Sequence, residues 1–350
     1  MKIHEIKLPQ QIIVGPNTIQ QVGRVCRNLG VNGDIVIVTG PHVVKIAGRE
    51  VSQILSEEKM ENTTYISKGS EVSEVGKVEK ISEEVKAKAI IGVGGGRVID
   101  VAKLAAYRRR IPFISMPTAA SHDGIASPRA SLKGVDGPAS IEAKPPIAII
   151  ADTNIIMKAP YRLLASGCGD IIAKFTAVRD WRLAHRLKGE YYGDYAASLA
   201  LMSASLVVKH AEYIPQMNIE SIRTVVEALI SCGIAICIAG SSRPCSGSEH
   251  LFSHALDLIA EKPALHGEQC GVGSIMMMYI HGGNWRKIKR TLKIIGAPTT
   301  AKELGVKDEE IIEALTIANK IRPERYTILG ETGLSREAAE KVARITGVIE

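Results

Sequence analysis

Short apolar runs alternate with helical patterns over residues 1–155, and helical periodicity fills most of the rest. Gln11–Val14 and Asp34–Val38 read as strands, the second running into Thr39-Gly40-Pro41. The spacing then predicts a helix near Val44–Glu57, a strand near Thr63–Ile66, a helix near Val72–Lys86 and a strand over Ala89–Val93. Pro112–Met116 and Ile147–Ala151 are further strands, and the Gly and Pro residues of the stretch 130–144 between them suggest a hairpin excursion. Strands alternating with helical patterns argue for βαβ units and a parallel sheet. Beyond Ala159 the pattern predicts helices over about 159–186, 195–213, 219–239, 246–260, 267–281, 284–295, 308–320 and 335–347. The expected architecture is therefore an α/β, Rossmann-like dinucleotide-binding domain over 1–155. An all-helical domain over 156–350 follows it, with a ligand cleft between the two.

Composition adds limits to this picture. At 350 residues, 45% hydrophobic and 23% charged, the chain is large enough for two domains. Aromatics make up only 4%, so Ile, Val, Leu, Ala and Met must build the core. A net charge of +7 raises the question of nucleic acid. The basic runs, Arg108-Arg109-Arg110 and Arg286 to Arg290, lie in helices with no aromatics interleaved, which favours solvated faces and an anionic small-molecule substrate over RNA or DNA. Six cysteines without C-x-x-C spacing suit reduced thiols in the cytoplasm. The N-terminus alternates like a strand and has no signal-type apolar core. The most apolar stretch, Thr224–Gly240, contains Glu227 and two glycines and is short for a bilayer span, so it reads as a core helix and no membrane insertion is expected.

The first chemical signal is the turn Ile90-Ile91-Gly92-Val93-Gly94-Gly95-Gly96-Arg97-Val98-Ile99-Asp100. Strand, glycine turn and helix start in that order suit a pyrophosphate, because backbone N–H groups and the helix dipole both face the anion. The string departs from G-x-G-x-x-G, with Arg97 at the sixth position.

The second signal is a set of metal-ligand types in the helical half. Asp170 sits in GCGDIIAK, His250 and His254 are four apart in SGSEHLFSHALD, and His266 opens HGEQCG. Ser246-x-x-Glu249 has capping-box form and predicts a helix start there, so His250 and His254 share one helix face. Asp170, His250 and His266 make a three-ligand N/O set, the pattern of a catalytic zinc site with an open position. Cys168, Cys245 and Cys270 are softer alternatives. The remaining histidines, among them His4, His42, His185, His210 and His281, read as hydrogen-bonded or surface residues.

Together GVGGGRVIDVAK, MPTAASHDGIASPRAS, GCGDIIAK, SGSEHLFSHALD and LHGEQCGVG resemble, in order, the motifs of the archaeal sn-glycerol-1-phosphate dehydrogenase family. That family lies in the superfamily of glycerol dehydrogenase, iron-dependent alcohol dehydrogenases and 3-dehydroquinate synthase. The resemblance implies a dehydroquinate synthase-like fold and reversible NADH- or NADPH-linked reduction of dihydroxyacetone phosphate to sn-glycerol 1-phosphate, for archaeal ether phospholipids. It implies that Gly94, Gly95, Gly96, Arg97, Val98, Ile99 and Asp100 contact NAD(H) or NADP(H), as do Thr118, Ala119, Ala120, Ser121 and Ser127. Asp123 would meet substrate hydroxyls and act with His254 in catalysis. Asp170, His250 and His266 would hold Zn²⁺, with Asp170 and His254 also beside substrate. Lys174 stands where the iron enzymes carry a fourth ligand, and Asp170 where dehydroquinate synthases carry glutamate; both departures favour the zinc-dependent glycerol and glycerol-phosphate branch.

Some questions stay open at this level. His254 and a metal-bound water are equal candidates for the proton donor, and His122, Arg129 and Lys174 are candidates for the phosphate. No carboxylate follows the strand ending at Val38, so NADPH is expected to be accepted, with Thr39 and Lys45 nearby. A homo-oligomer, dimer or octamer, is expected from the relatives. Rival readings are a glycerol dehydrogenase acting on unphosphorylated polyol, a dehydroquinate-synthase-like lyase, and a non-catalytic nucleic-acid or nucleotide-sensing module.

Overall fold

The computed structural model of the chain describes residues 4–134 and 137–350. Its contacts divide the chain into two compact units, one of residues 1–160 with Asn218–Cys237, the other of Tyr161–Met217 with Ile238–Glu350.

The first unit is built on a six-stranded parallel sheet. Its strands are β1 Gln11–Gly15, β2 Ile35–Thr39, β3 Asn62–Ile66, β4 Ala89–Gly94, β5 Phe113–Pro117 and β8 Ala148–Asp152, in the order β1-β8-β5-β4-β2-β3. The hairpin expected over 130–144 is present as β6 Arg129–Gly134 and β7 Gly137–Glu142, paired antiparallel; its tip, Val135 and Asp136, lies outside the described residues. β2 and β4 are buried along their whole length, and apolar but for the closing Thr39 of β2, because helices cover both sheet faces. One layer of buried contacts joins Ile35 and Ile37 to Val51 and Leu55, the other joins Val36 and Ile90 to Ile99 and Leu104. The connecting helices are α1 Val22–Asn28, α2 Arg49–Glu57, α3 Val72–Glu84, α4 Gly96–Arg109 and the single turn α5 Thr153–Ile156.

The strand order reverses between β2 and β4: β3 follows β2 on one side, and β4 and β5 continue on the other. In open parallel sheets that reversal opens a crevice at the carboxyl ends of the strands, where ligands bind. Register places Thr39 opposite Val93 and Gly94 opposite Pro117, so the ends of β2, β4 and β5 meet at that crevice.

The second unit is helical: α6 Tyr161–Ile172, α7 Lys174–Lys188, α8 Asp194–Lys209, α10 Ser248–Ile259, α11 His266–Ile280, α12 Trp285–Ile295, α13 Ala301–Leu304, α14 Asp308–Ile321 and α15 Arg336–Ile345. The helix expected over 159–186 is divided at Ala173, whose carbonyl accepts from both the amide and the hydroxyl of Thr176, tightening one turn. α9, Ile219–Ala239, is long and apolar enough to cross a membrane, yet two-thirds of its most apolar window is buried within the structure. Its residues 219–237 belong to the first unit. There Gly233 lies against the backbone of Ala126 and Ser127, where a Cβ would come within 2.7 Å of both.

Candidate coenzyme and metal sites

In the first unit the glycine turn is the junction of β4 and α4. Gly92 carries no side chain because a Cβ would fall 3.0 Å from Ala102 and 3.1 Å from Phe113; its absence lets α4 lie close on the sheet. Val98 makes the first helical hydrogen bond, to the Gly95 carbonyl at 3.0 Å, so the Gly96 and Arg97 amides precede the ladder. Gly95, Gly96 and Arg97 are open to solvent, and a Cβ on Gly96 would meet His122 Nε2 at 1.7 Å. His122 Nδ1 accepts from the Gly124 amide at 2.9 Å, which leaves Nε2–H as a further donor beside the helix start. Thr118 donates its amide to the Gly94 carbonyl at 3.0 Å and so closes the same crevice.

The other residues expected here divide by accessibility. Thr118, Ser121 and Asp123 are partly exposed; Gly94, Val98, Ile99, Asp100, Ala119, Ala120 and Ser127 are buried. The Asp100 carboxylate accepts from Lys103 Nζ and the Ser131 amide, both at 3.1 Å, and so braces the hairpin. Thr39 is likewise fully buried, against Gly48, and shapes the crevice from within. Sequence reasoning did not single out Lys103. This wholly buried ammonium also donates to the carbonyls of Gly124 and Arg129, both at 2.6 Å, and so fixes the loop carrying Asp123 and Ser127. Its signal was a lysine three positions after Asp100 in the apolar run of α4.

In the second unit α6, α10 and α11 bring Asp170, His250, His254 and His266 together. His250 and His266 have ring centroids 5.0 Å apart, His254 and His266 5.7 Å. His250 Nε2 is 3.5 Å from Asp170 Oδ1. Two glycines permit this approach: a Cβ on Gly169 would meet the Gly267 carbonyl at 2.2 Å, and one on Gly267 would meet the Ser166 carbonyl at 1.9 Å. α6 and α11 therefore touch backbone to backbone beside the residues that carry Asp170 and His266.

α10 begins at Ser248, two residues later than the expected capping box. Asp180 of α7 takes over the cap, accepting from the Ser248 amide at 2.7 Å and its hydroxyl at 2.6 Å. Glu249 is thereby released into the interior. It accepts from the Gly247 amide, from His250 Nδ1 and from the Thr176 hydroxyl, each at 2.7 Å. A carboxylate holding Nδ1–H fixes the tautomer and turns the Nε2 lone pair outward, as in carboxylate–histidine–metal triads. On His266, Ser253 Oγ lies 3.3 Å from Nδ1, which leaves Nε2 turned to the cluster. The donor set thus fits a borderline divalent cation.

Burial would lower His250, but Cys270, Asp170 and Glu249 raise it well above its ordinary value, so a cation would have to displace the imidazole's second proton. Burial alone would raise the Asp170 carboxyl, but Lys174, His250 and His266 hold it well below the usual range. Lys174 is wholly buried and donates to Asp170 Oδ1 at 2.6 Å and the Cys245 carbonyl at 3.2 Å, so it is engaged within the protein and is not a cation free to meet a substrate phosphate. Arg129 is similarly bound to Ser140, through Nε and Nη2. Burial keeps His254 below its ordinary value, with His250 and Arg322 acting in the same direction against Asp257. At this cluster His254 Nδ1, 3.7 Å from Asp257 Oδ2, and Gln269 Oε1 are buried without a hydrogen-bond partner among the described residues.

A glycerol-1-phosphate dehydrogenase [NAD(P)+] of Pyrococcus furiosus is 57% identical over 347 residues, covering 99% of this chain and 100% of that one. One from Methanothermobacter thermautotrophicus is 55% identical over 349 residues, covering 100% of each. The chain belongs to the glycerol-1-phosphate dehydrogenase family. It is an NAD(P)-dependent oxidoreductase, and residues 13–160 also match the iron-containing alcohol dehydrogenase family. The fold is that of glycerol dehydrogenase from Schizosaccharomyces pombe, with TM-score 0.82 at 20% identity over 99% of this chain and 91% of that one. A probable glycerol dehydrogenase from Sinorhizobium meliloti gives TM-score 0.80 at 18% identity, covering 98% of each chain.

Proposed function

We propose that the protein reduces dihydroxyacetone phosphate to sn-glycerol 1-phosphate, reversibly, with a divalent cation held by Asp170, His250 and His266. The observation that carries this reading is the convergence of those three side chains from α6, α10 and α11, with His250 oriented by Glu249. Zinc suits the Asp–His–His set best, and when bound it would supply Lewis-acid stabilisation of the charge that develops on the C2 oxygen. In this reading the sheet unit holds the coenzyme and the helical unit holds metal and substrate. The Gly96 and Arg97 amides and His122 Nε2–H take the coenzyme pyrophosphate, joined by Gly95, Thr118 and Ser121, while Asp123 hydrogen-bonds a substrate hydroxyl. His254, half-buried and held below its ordinary value, would act as base towards the hydroxyl proton in the oxidation direction; in the reduction it would first take a proton from solvent and then, as imidazolium, give it to the C2 oxygen.

No carboxylate ends β2, and Lys45 stands exposed just beyond it, so both NADPH and NADH serve. The product supplies the backbone of archaeal ether lipids. Six buried thiols, none of them in a disulfide, suit a cytoplasmic setting. Exposed Tyr195, Met202 and Leu206 on α8 suit a homo-oligomer, dimer or octamer.

The test combines metal analysis of purified protein with reduction of dihydroxyacetone phosphate and of dihydroxyacetone, each with NADH and NADPH. One equivalent of zinc and a strong preference for the phosphorylated ketone are expected. Preference for dihydroxyacetone would make the protein a polyol dehydrogenase, the second reading that the fold allows.

A further inference from the structure

The helical unit holds a second recess, which neither the metal cluster nor the coenzyme crevice uses. It lies where α7 and α8 meet the end of α11 and has a volume of about 450 Å³, a size that suits a small molecule. Arg179, Arg182 and Arg186 of α7 line it beside His281. Leu183, Leu201 and Met278, one from each helix, add an apolar surface.

The three arginines stand at i, i+3 and i+7 and so share one helix face. Like charges at three- and four-residue spacing repel, and among the described residues none of the three is paired with a carboxylate. Arg182 only donates to the Tyr192 hydroxyl at 3.1 Å and lies over that ring. The carboxylate next to them in sequence, Asp180, is wholly buried and already committed. It accepts from the Ser248 amide and hydroxyl and from the Ile328 amide, and its Oδ1 lies 3.0 Å from His281 Nε2. Glu190 is likewise held by Arg243. The recess therefore presents three guanidiniums with no anion of the protein's own to meet them. Guanidinium forks match the oxygens of a phosphate, and a phosphate dianion would relieve their mutual repulsion. The flat surface of a bilayer reaches such a lining poorly, because three helices wall it in.

We propose that this recess binds a free organic phosphate with an apolar chain, its phosphate on Arg179, Arg182 and Arg186 and its chain against Leu183, Leu201 and Met278. The proposal does not depend on the reading of the metal and coenzyme sites.

The test titrates hexyl phosphate and inorganic phosphate into the full-length protein by calorimetry. NADP⁺ and dihydroxyacetone phosphate are present throughout as a non-reacting pair, so that the sites described above are filled. Hexyl phosphate should bind about tenfold more tightly than inorganic phosphate, or better. The double variant Arg179→Gln, Arg186→Gln changes two exposed side chains and should fold; it should weaken hexyl phosphate binding about tenfold or more. Leu201→Asn should weaken hexyl phosphate and leave inorganic phosphate unchanged. Equal binding of the two phosphates overturns the apolar half of the proposal, and undiminished binding in the double variant overturns the site. Sedimentation with phosphatidylglycerol vesicles that the double variant abolishes would make the occupant a lipid headgroup. A changed oligomeric state in that variant would make the recess a contact between copies. Either result overturns the free ligand.

Discussion

Glu249 offers the sharpest test of how the metal site is built, because two substitutions separate its charge from its hydrogen bonds. The carboxylate is wholly buried and has three partners: the Gly247 amide, His250 Nδ1 and the Thr176 hydroxyl. In Glu249→Gln the amide oxygen can keep the first two. Its NH₂ then donates to Thr176, whose own hydrogen turns to the Ala173 carbonyl, 2.8 Å away. Shape and hydrogen bonds survive, and only the negative charge is lost. Charge-assisted bonds are about twice as strong as neutral ones, and removing such orienting partners costs about 10–100-fold in metal affinity. With the geometry intact the lower end applies, about tenfold or ~1.4 kcal/mol.

Glu249→Ala removes the acceptor altogether. The Gly247 amide and His250 Nδ1 become buried donors without partners, at about 1–3 kcal/mol each, so a lower Tm and more than 100-fold weaker metal binding are expected. The assay is competitive zinc titration against a chromophoric chelator, run beside thermal unfolding of the metal-free forms. Glu249→Gln binding zinc as tightly as wild type would refute the claim that this carboxylate tunes His250. Equal losses in Gln and Ala would refute the separation of charge from geometry.

Three further outcomes are expected. Gly169→Ala or Gly267→Ala should weaken zinc binding at least tenfold and lower Tm, because the new Cβ would press on a carbonyl oxygen and drive α6 and α11 apart; unchanged affinity in both would refute the close-approach argument. His254→Ala should keep its zinc and lose about 10²–10⁴-fold in kcat, and loss of zinc would instead make His254 a ligand. Burial would raise the Glu74 carboxyl, but Lys77, the Lys68 amide, Tyr65 and Ser67 outweigh it and hold it down to about 2. A folded value below the unfolded one stabilises above pH ~4.5, by at most about 3 kcal/mol, and that contribution is lost as pH falls through about 2. The urea midpoints of wild type and Glu74→Gln should therefore differ at pH 7 and converge towards pH 2; a gap independent of pH would refute it.

The parallel sheet and the helical remainder were readable because β2, β4 and β8 are short runs, apolar up to the closing Thr39 of β2 and Asp152 of β8, bounded by polar or glycine-containing turns. Strand order was not, since nothing in Ile35–Thr39 states that β4 and not β1 lies beside it. Asp170, His250 and His266 stood out by residue type and spacing. Glu249 looked like a capping residue because Ser246 stands three positions before it. Only the fold shows that Asp180, 68 residues upstream of Ser248, caps the helix and frees Glu249 for His250. That Asp100 and Thr39 are buried was likewise not legible, because a linear stretch of sequence does not record packing.

The two candidate sites rest on different physics, and they should fail differently. At the glycine turn the donors are mainly main-chain amides, so side chains matter there chiefly by their absence. Gly95 has open space around its Cα, whereas a Cβ on Gly96 would strike His122. Alanine should therefore be tolerated at Gly95 on steric grounds and should displace a donor at Gly96. The metal cluster is made of side chains alone, but their positions are set by the backbone contact of Gly169 with Gly267. A methyl group added at that contact would move two candidate ligands at once without touching either, a sensitivity that ligand-by-ligand substitution would not reveal. Geometry at the cluster is thus stored in residues that have no chemistry of their own, and the glycines of GCGD and HGE belong to the site as much as its aspartate and histidines do.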